Sequence, residues 1–154
     1  MKLNSKKRFY IDWVLINELS IGPPPRTSDH LNTLNAEGIK SILSLCSEKE
    51  ASSPKEMYDK FSCKRILLPD HKSGRLATLD EINYALNSLK ELITHGPVFI
   101  HCFAAMERSP LVCMAWLVRE HNLSPRQSLD YMMQVHKGTS PLGEQLSMLN
   151  QISQ

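Results

Sequence analysis

Five residues separate Cys102 from Arg108, and the two lie between an apolar run and a Ser-Pro pair. The apolar run, Val98 to Ile100, predicts a buried strand. Ser109 and Pro110 are typical of a helix N-cap followed by the first helical residue. The pattern therefore places the cysteine and the arginine at the two ends of a loop that joins a strand to a helix.

A loop of this kind is suited to holding a tetrahedral oxyanion. Several of its backbone N–H groups point inward at the positive end of the following helix, and together they form a nest for an anion. Arg108 adds a planar guanidinium that binds two oxygens at once. A cysteine facing these donors is stabilised as a thiolate, so Cys102 is the candidate nucleophile and phosphate is the expected ligand. The residues expected to bind the anion with Arg108 are Phe103, Ala104, Ala105, Met106 and Glu107.

The run His101-Cys102, five residues, Arg108-Ser109 resembles the signature loop of the cysteine-dependent protein tyrosine phosphatases, particularly their small dual-specificity branch. Sulfurtransferases and arsenate reductases also place a cysteine in a phosphate-like loop. A second feature favours the phosphatases: Asp70 follows a predicted strand and lies 32 residues before Cys102, as the general acid does in many dual-specificity members. The resemblance extends over about residues 11 to 152.

The resemblance implies a role for each of these side chains in phosphoryl transfer. Cys102 would attack phosphorus, while Arg108 and the loop amides would hold the equatorial oxygens. Asp70 would protonate the leaving oxygen and then deprotonate the water that hydrolyses the phosphocysteine. Ser109 would donate its hydroxyl to the departing sulfur besides capping the helix, and His101 would support the loop by hydrogen bonding to backbone. No metal or cofactor is required.

Two residues depart from the pattern of the family. Ala105 stands where a glycine is usual, and if that position needs a positive φ, alanine costs on the order of 1–2 kcal/mol. Glu107 brings a negative charge beside a dianion site, which opposes phosphate unless the side chain points outward. Neither change removes the nucleophile or the guanidinium, so the sequence favours an active enzyme. The alternatives are a catalytically impaired module that binds phosphate, and a phosphatase of non-protein phosphoesters.

The expected partner is a phosphorylated protein. The loop interior contains no lysine, whereas lipid-directed relatives need extra positive charge for polyphosphorylated headgroups. Phosphotyrosine is the expected substrate, with phosphoserine and phosphothreonine left open. His71, Lys72 and Arg75 lie near Asp70 and keep a phospholipid or a sugar phosphate open as well.

A second cysteine, Cys46, ends a predicted strand and is expected at the same edge of the sheet as Cys102. Its Leu-Cys-x-Glu context resembles that of the resolving cysteine in some lipid-directed members of the family. The resemblance implies a redox partner that traps oxidised Cys102 as a disulfide. The alternative is a buried thiol that never pairs, which is also how we interpret Cys63 and Cys113.

Strands and helices alternate along the chain, which predicts an α/β fold with a central, mostly parallel sheet flanked by helices. The strands are expected at residues 9–16, 18–21, 39–45, 64–68 and 98–100. The helices are expected after Thr27 or Ser28, from Ser53-Pro54, from Thr78 up to Gly96, over Leu111 to Val118, from Ser124-Pro125, and over 141–152. The signature loop would then lie at the carboxyl end of a strand, where open sheets bind ligands.

Length and composition are those of one globular domain. The chain has 154 residues, 42% of them hydrophobic and 22% charged, and it is long enough to bury its own core. We expect a polar N-terminal tail over residues 1–8 and the catalytic domain over 9–154. The net charge of +2 does not indicate nucleic-acid binding, and the longest apolar run, Leu111 to Val118, is too short to span a membrane. A cytoplasmic protein with reduced thiols is predicted, while the oligomeric state is not indicated.

Overall fold

A computed structural model describes residues 8–152 of the chain. Its strands are β1 Asp12–Leu15, β2 Leu19–Ile21, β3 Ser41–Ser44, β4 Ser62–Arg65 and β5 Val98–His101. They form one five-stranded sheet in the order β1-β2-β5-β3-β4. Only the β1–β2 hairpin is antiparallel, and the other pairs are parallel. The predicted α/β fold with a mostly parallel sheet is therefore confirmed.

Six helices flank the described sheet. They are α1 Ser28–Ala36, α2 Met57–Lys60, α3 Leu79–Ile93, α4 Arg108–His121, α5 Pro125–Val135 and α6 Gly143–Leu149, and a 3-10 turn covers His71–Ser73. Both α3 and α5 begin with a capping box, made by Thr78 with Glu81 and by Ser124 with Gln127. These caps satisfy backbone N–H groups that the first helical turn leaves without partners. No helix of the described part is long and apolar enough to cross a membrane.

Successive side chains of the central strands point to opposite faces of the sheet, and both faces are buried. Ile42 and Phe99 face one side, where they pack with residues of α1 and α2. Leu43 and Ile100 face the other side, where the larger part of the core includes α3, α4, α5 and α6. Strand β5 is entirely buried between β2 and β3, so the loop that follows it leaves from the middle of the sheet.

Several predicted boundaries are wrong. No helix starts at Ser53-Pro54, because the Ser53 hydroxyl accepts a hydrogen bond from Arg65 Nη2 at 3.3 Å instead of capping, and α2 begins later. The strand predicted at 64–68 runs over 62–65, although the amide N–H of Leu68 still donates to the Leu45 carbonyl beyond it. The final helix is shorter than predicted. Residues 1–7 of the predicted polar tail lie outside the described residues.

Candidate active site

Strand β5, a loop over residues 102–107 and helix α4 follow one another directly, as the sequence predicts. The loop borders a cleft of about 380 Å³. The cleft is lined by Asp70, Lys72, Cys102, Phe103, Ala104, Met106, Glu107, Arg108, Ser140 and Leu142. The candidate nucleophile, the candidate acid and the guanidinium, which come from separate parts of the chain, thus meet at one cleft.

The predicted cap of α4 is wrong by two residues. The Glu107 carbonyl accepts the first helical hydrogen bond, from the Leu111 N–H at 3.0 Å, so Glu107 is the N-cap and Arg108 is the first helical residue. Ser109 lies inside the first turn and is fully buried. Its hydroxyl makes no hydrogen bond within the described part of the chain. The hydroxyl is therefore not engaged as a cap, and it does not bind Cys102 Sγ in this structure either.

Ala105 adopts a left-handed conformation, the case in which alanine at this position is predicted to cost free energy. Its φ is 58°, and the residue is buried behind the loop rather than lining the cleft. For alanine, this conformation costs about 1–2 kcal/mol more than it does for glycine. The signature loop consequently carries local strain that other contacts must offset.

The guanidinium of Arg108 is held from two sides. Nη1 and Nη2 donate to the two carboxylate oxygens of Glu50 at 3.3 and 2.8 Å, and Nη1 also donates to the Leu68 carbonyl at 3.3 Å. Nε and the second hydrogen of Nη2 have no acceptor among residues 8–152. These two N–H groups form a parallel pair, which is the geometry that binds two oxygens of a phosphate.

Glu50 is a site residue that sequence reasoning missed. Its hydrogen bond from Arg108 outweighs the effect of burial and holds the pKa of the Glu50 carboxyl below its usual value. The Glu50 side chain is also fixed locally, since the Ser47 N–H donates to its carboxylate at 3.0 Å. The available signal was the position of Glu50 after β3, at the same sheet edge as the signature loop.

Replacing Arg108 by lysine is expected to weaken tungstate binding by about 10- to 100-fold, because an ammonium cannot contact Glu50, Leu68 and two oxyanion oxygens at once. Competitive inhibition by tungstate measures this effect. Arg119→Lys is the matched control, since Arg119 lies at the other end of α4 and pairs with Glu120. Unchanged tungstate affinity in Arg108→Lys would show that the guanidinium does not bind the anion.

His101 anchors the backbone of Cys102. Its ring is fully buried, with Nδ1 3.2 Å from the Cys102 carbonyl and Nε2 2.7 Å from Ser44 Oγ. A carbonyl only accepts, so Nδ1 carries the proton, and Nε2 accepts from the Ser44 hydroxyl. Burial lowers the pKa of His101 to about 4, so the ring is neutral at physiological pH. The contact with the Cys102 carbonyl is of the predicted kind, and the supporting role of His101 stays a prediction.

Folding stability should fall with acidification because of His101. The unfolded chain binds the proton below about pH 6.5 and the folded chain only near pH 4, so stability is full above pH 6.5 and declines between these values. We expect wild type to lose about 2 kcal/mol more than His101→Asn between pH 7.5 and 5. Urea unfolding at the two pH values measures the difference. Parallel losses in both proteins would assign the acid sensitivity to other groups.

Asp70 lines the cleft and caps the 3-10 turn at His71–Ser73. Its Oδ1 accepts from the Lys72 N–H at 3.0 Å, and its carbonyl accepts from the Ser73 N–H at 2.9 Å. The preceding segment is tied to the signature loop through the hydrogen bond from Arg108 to Leu68. The turn and this hydrogen bond therefore fix the candidate acid relative to the candidate anion site.

Cys46 is buried beside the loop, with Sγ 4.0 Å from His101 Nδ1. Burial raises the pKa of the Cys46 thiol, and the charges of Glu50 and Cys102 raise it further. The thiol is therefore protonated at neutral pH, which slows its attack on an oxidised sulfur. Cys113 is buried in the core, whereas Cys63 is only half-buried.

We propose that Cys46 nevertheless traps Cys102 after oxidation, because both thiols are held at one edge of the sheet. Peroxide should produce a Cys46–Cys102 disulfide in the wild type, and dithiothreitol should reduce it. In Cys46→Ser, peroxide should instead oxidise Cys102 to sulfinic acid. Mass spectrometry of tryptic peptides distinguishes these products. Sulfinic acid at Cys102 in the wild type, with Cys46 still a free thiol, would eliminate the trap.

Three further residues of the cleft lie outside the loop that the sequence predicts as the anion site. Lys72 follows Asp70, and Ser140 and Leu142 precede α6. Local sequence gives no sign that the segment before α6 reaches the signature loop. Among the described residues, no group of three His, Cys, Asp or Glu side chains is arranged to hold a metal ion.

Known proteins resemble this chain in sequence. Residues 23–154 match the family described as dual specificity phosphatase, catalytic domain. Dual specificity protein phosphatase 2 of Mus musculus is 28% identical over 139 residues, covering 87% of this chain and 42% of that protein. Dual specificity protein phosphatase 1 of Homo sapiens is 26% identical over 124 residues, covering 77% of this chain and 32% of that protein. The chain thus spans less than half the length of these curated relatives.

Solved structures share the fold at low identity. PTPMT1 in complex with PI(5)P superposes with a TM-score of 0.79 at 17% identity, covering 93% of this chain and 94% of that one. Human tyrosine phosphatase-like serine/threonine/tyrosine-interacting protein superposes with a TM-score of 0.79 at 17% identity, covering 92% and 93%. With the family match extending over most of its length, the chain belongs to the family of dual specificity phosphatase catalytic domains.

Proposed function

We propose that this protein hydrolyses phosphate monoesters through a phosphocysteine intermediate. The observation that carries the proposal is the convergence of Cys102, Arg108 and Asp70 on one cleft, with a parallel pair of Arg108 N–H groups unengaged within the described residues. Phosphoryl transfer needs a positioned nucleophile, stabilised oxygens and a proton for the leaving group. This cleft offers one candidate for each requirement.

In the first step, Cys102 Sγ attacks phosphorus and the bond from phosphorus to the ester oxygen breaks. Asp70 gives its proton to the leaving oxygen, so the alcohol or phenol departs neutral. Arg108 and the loop N–H groups hold the three remaining oxygens, on which negative charge is spread.

In the second step, Asp70 takes a proton from water as the water oxygen attacks phosphorus and the sulfur–phosphorus bond breaks. Cys102 leaves as a thiolate and inorganic phosphate is released. The Ser109 hydroxyl, which makes no hydrogen bond within the described chain, supplies a donor to the departing sulfur. The residues needed for both steps are then returned to their starting protonation states.

The rim of the cleft favours an aromatic phosphate ester. Phe103, Met106 and Leu142 line the cleft, and these residues are 49%, 48% and 37% exposed. A phosphotyrosyl ring buries apolar area against such a rim, whereas the short side chain of phosphoserine does not reach as far. Phosphotyrosine in a protein is therefore the proposed substrate, with phosphoserine and phosphothreonine as poorer ones.

Charge argues against a polyphosphorylated headgroup. Among the described residues that line the cleft, the basic ones are Arg108 and Lys72, and the acidic ones are Asp70 and Glu107. A headgroup with several phosphates would need more cations than this lining offers. The structural neighbour crystallised with PI(5)P makes a monophosphorylated inositol lipid the appropriate competing substrate to test.

The experiment compares kcat/KM for a phosphotyrosyl peptide, the matching phosphoseryl peptide and PI(5)P in phosphatidylcholine vesicles. We expect the phosphotyrosyl peptide to be hydrolysed about tenfold or more faster than the other two, because only it places a ring against the apolar rim. A higher value for PI(5)P would replace the proposed substrate class. Binding of tungstate without hydrolysis of any of the three would identify a phosphate-binding module instead of an enzyme.

A further inference from the structure

A buried histidine lies directly behind the signature loop, on the side away from the cleft. His136 follows the last residue of α5 and is 1% exposed. Its Nε2 lies 2.5 Å from the Ala105 carbonyl oxygen, and its Nδ1 lies 2.7 Å from Asp12 Oδ2 at the start of β1. The histidine therefore connects the hairpin edge of the sheet to the residue of the loop that has a positive φ.

The partners of this histidine define which of its nitrogens donates to the loop. The Ala105 carbonyl only accepts hydrogen bonds, so Nε2 of His136 carries a proton and donates to it. Asp12 Oδ2 contacts the other ring nitrogen, Nδ1, and fixes the orientation of the ring. His101 contacts the Cys102 carbonyl of the same loop through its Nδ1, so two buried histidines hold carbonyls of this loop.

The segment that carries His136 holds a second carbonyl of the loop. The Ser140 N–H donates to the Met106 carbonyl at 2.8 Å, and Thr139 Oγ1 donates back to the His136 carbonyl at 2.8 Å. Two consecutive loop carbonyls, those of Ala105 and Met106, thus point toward residues 136–140. In a trans peptide the N–H points opposite to the C=O, and the described chain contains no cis peptide bond.

The N–H groups of Met106 and Glu107 are consequently turned away from His136, toward the side of the loop that borders the cleft. Successive N–H groups aimed one way form an anion nest. In this arrangement Ala105 has a left-handed backbone, a conformation that alanine adopts less freely than glycine. A rigid donor that grips the Ala105 carbonyl can hold the backbone in that conformation.

We infer that His136, oriented by Asp12, is a positioning residue that holds Ala105 in its left-handed conformation and so aims the loop N–H groups at the bound oxyanion. The inference rests on the proposed function and deepens it, because it names what keeps this anion site assembled without a glycine. The positioning acts through the backbone, and His136 itself does not touch the substrate.

The test uses the full chain, sodium tungstate in isothermal titration calorimetry, and kcat/KM with p-nitrophenyl phosphate. His136→Leu should weaken tungstate binding by about tenfold or more, and His136→Gln should recover part of the loss because its amide N–H replaces Nε2. In a chain that also carries Ala105→Gly, the same substitutions should cost about twofold, since glycine adopts the positive φ without support. This dependence on the residue at 105 is the expected signature of positioning.

His121→Leu is the matched control. His121 also pairs with a carboxylate, that of Glu18 at 2.9 Å, but it lies at the end of α4 away from the loop, so tungstate affinity should not change. Asp12→Leu is the second variant if His136→Leu does not fold, and its loss should likewise shrink in the Ala105→Gly chain.

Equal losses in both backgrounds, accompanied by equal falls in Tm, would overturn the inference and leave His136 as a packing residue. Failure of the wild type to bind tungstate at all would instead overturn the proposed function. The two failures are therefore separate outcomes of the same titration.

Discussion

Cys102→Ser is expected to lower turnover of p-nitrophenyl phosphate on the order of 10⁴-fold or more, because a serine hydroxyl is not ionised at neutral pH and cannot replace the thiolate. Tungstate binding should persist, since Arg108 and the loop N–H groups remain in place. Steady-state kinetics and calorimetry measure the two effects separately. Loss of activity with retained binding is the pattern expected of a nucleophile rather than of a residue that holds the loop together.

Cys63→Ser is the matched control for the nucleophile. Cys63 is half-buried on β4, and its Sγ lies 3.5 Å from the carbonyl oxygens of Met57 and Phe61, contacts that a serine hydroxyl can also make. Its activity should equal that of the wild type. If Cys102→Ser were as active as Cys63→Ser, the phosphocysteine mechanism would be wrong.

Asp70→Asn is expected to lower kcat on phenyl phosphate by about 10²–10⁴-fold, the usual contribution of a general acid. Phenoxide is a poor leaving group and needs the proton. With 2,4-dinitrophenyl phosphate, whose leaving group departs as an anion, the loss should be about tenfold or less. The measurement is kcat for each ester in the wild type and in Asp70→Asn, and the predicted effect is a larger loss of kcat for phenyl phosphate.

The control for Asp70→Asn is Asp80→Asn, which removes a carboxylate from the first turn of α3 and should leave the ratio of the two rates unchanged. An equal loss on both esters in Asp70→Asn would assign Asp70 a structural role. A structural role is the alternative to general-acid catalysis, since Oδ1 of Asp70 caps the 3-10 turn by accepting from the Lys72 N–H.

Helix starts are predicted correctly where the capping residue and its partners lie within the same turn of the chain. The capping box at Thr78 and the Ser-Pro pair at Ser124 predict the starts of α3 and α5 correctly, because each cap satisfies backbone groups within one turn of chain. The Ser-Pro signals at Ser53 and Ser109 failed. The Ser53 hydroxyl accepts a hydrogen bond from Arg65 of β4, and α4 begins two residues before the predicted start because the Glu107 carbonyl accepts its first hydrogen bond.

Local sequence places Cys102 and Arg108 in one strand-to-helix loop, because a few residues of chain cannot carry them apart, and it predicts the alternation of strands and helices. Which side chains hold the loop in shape depends on how distant parts of the chain pack together. Glu50 is 58 residues from Arg108, His136 is 31 from Ala105, and Asp12 is 124 from His136. Their hydrogen bonds depend on strand order and on the packing of α5 against the hairpin. Local sequence propensities do not predict these hydrogen bonds, because they form only when the sheet and its helices have packed around a common core.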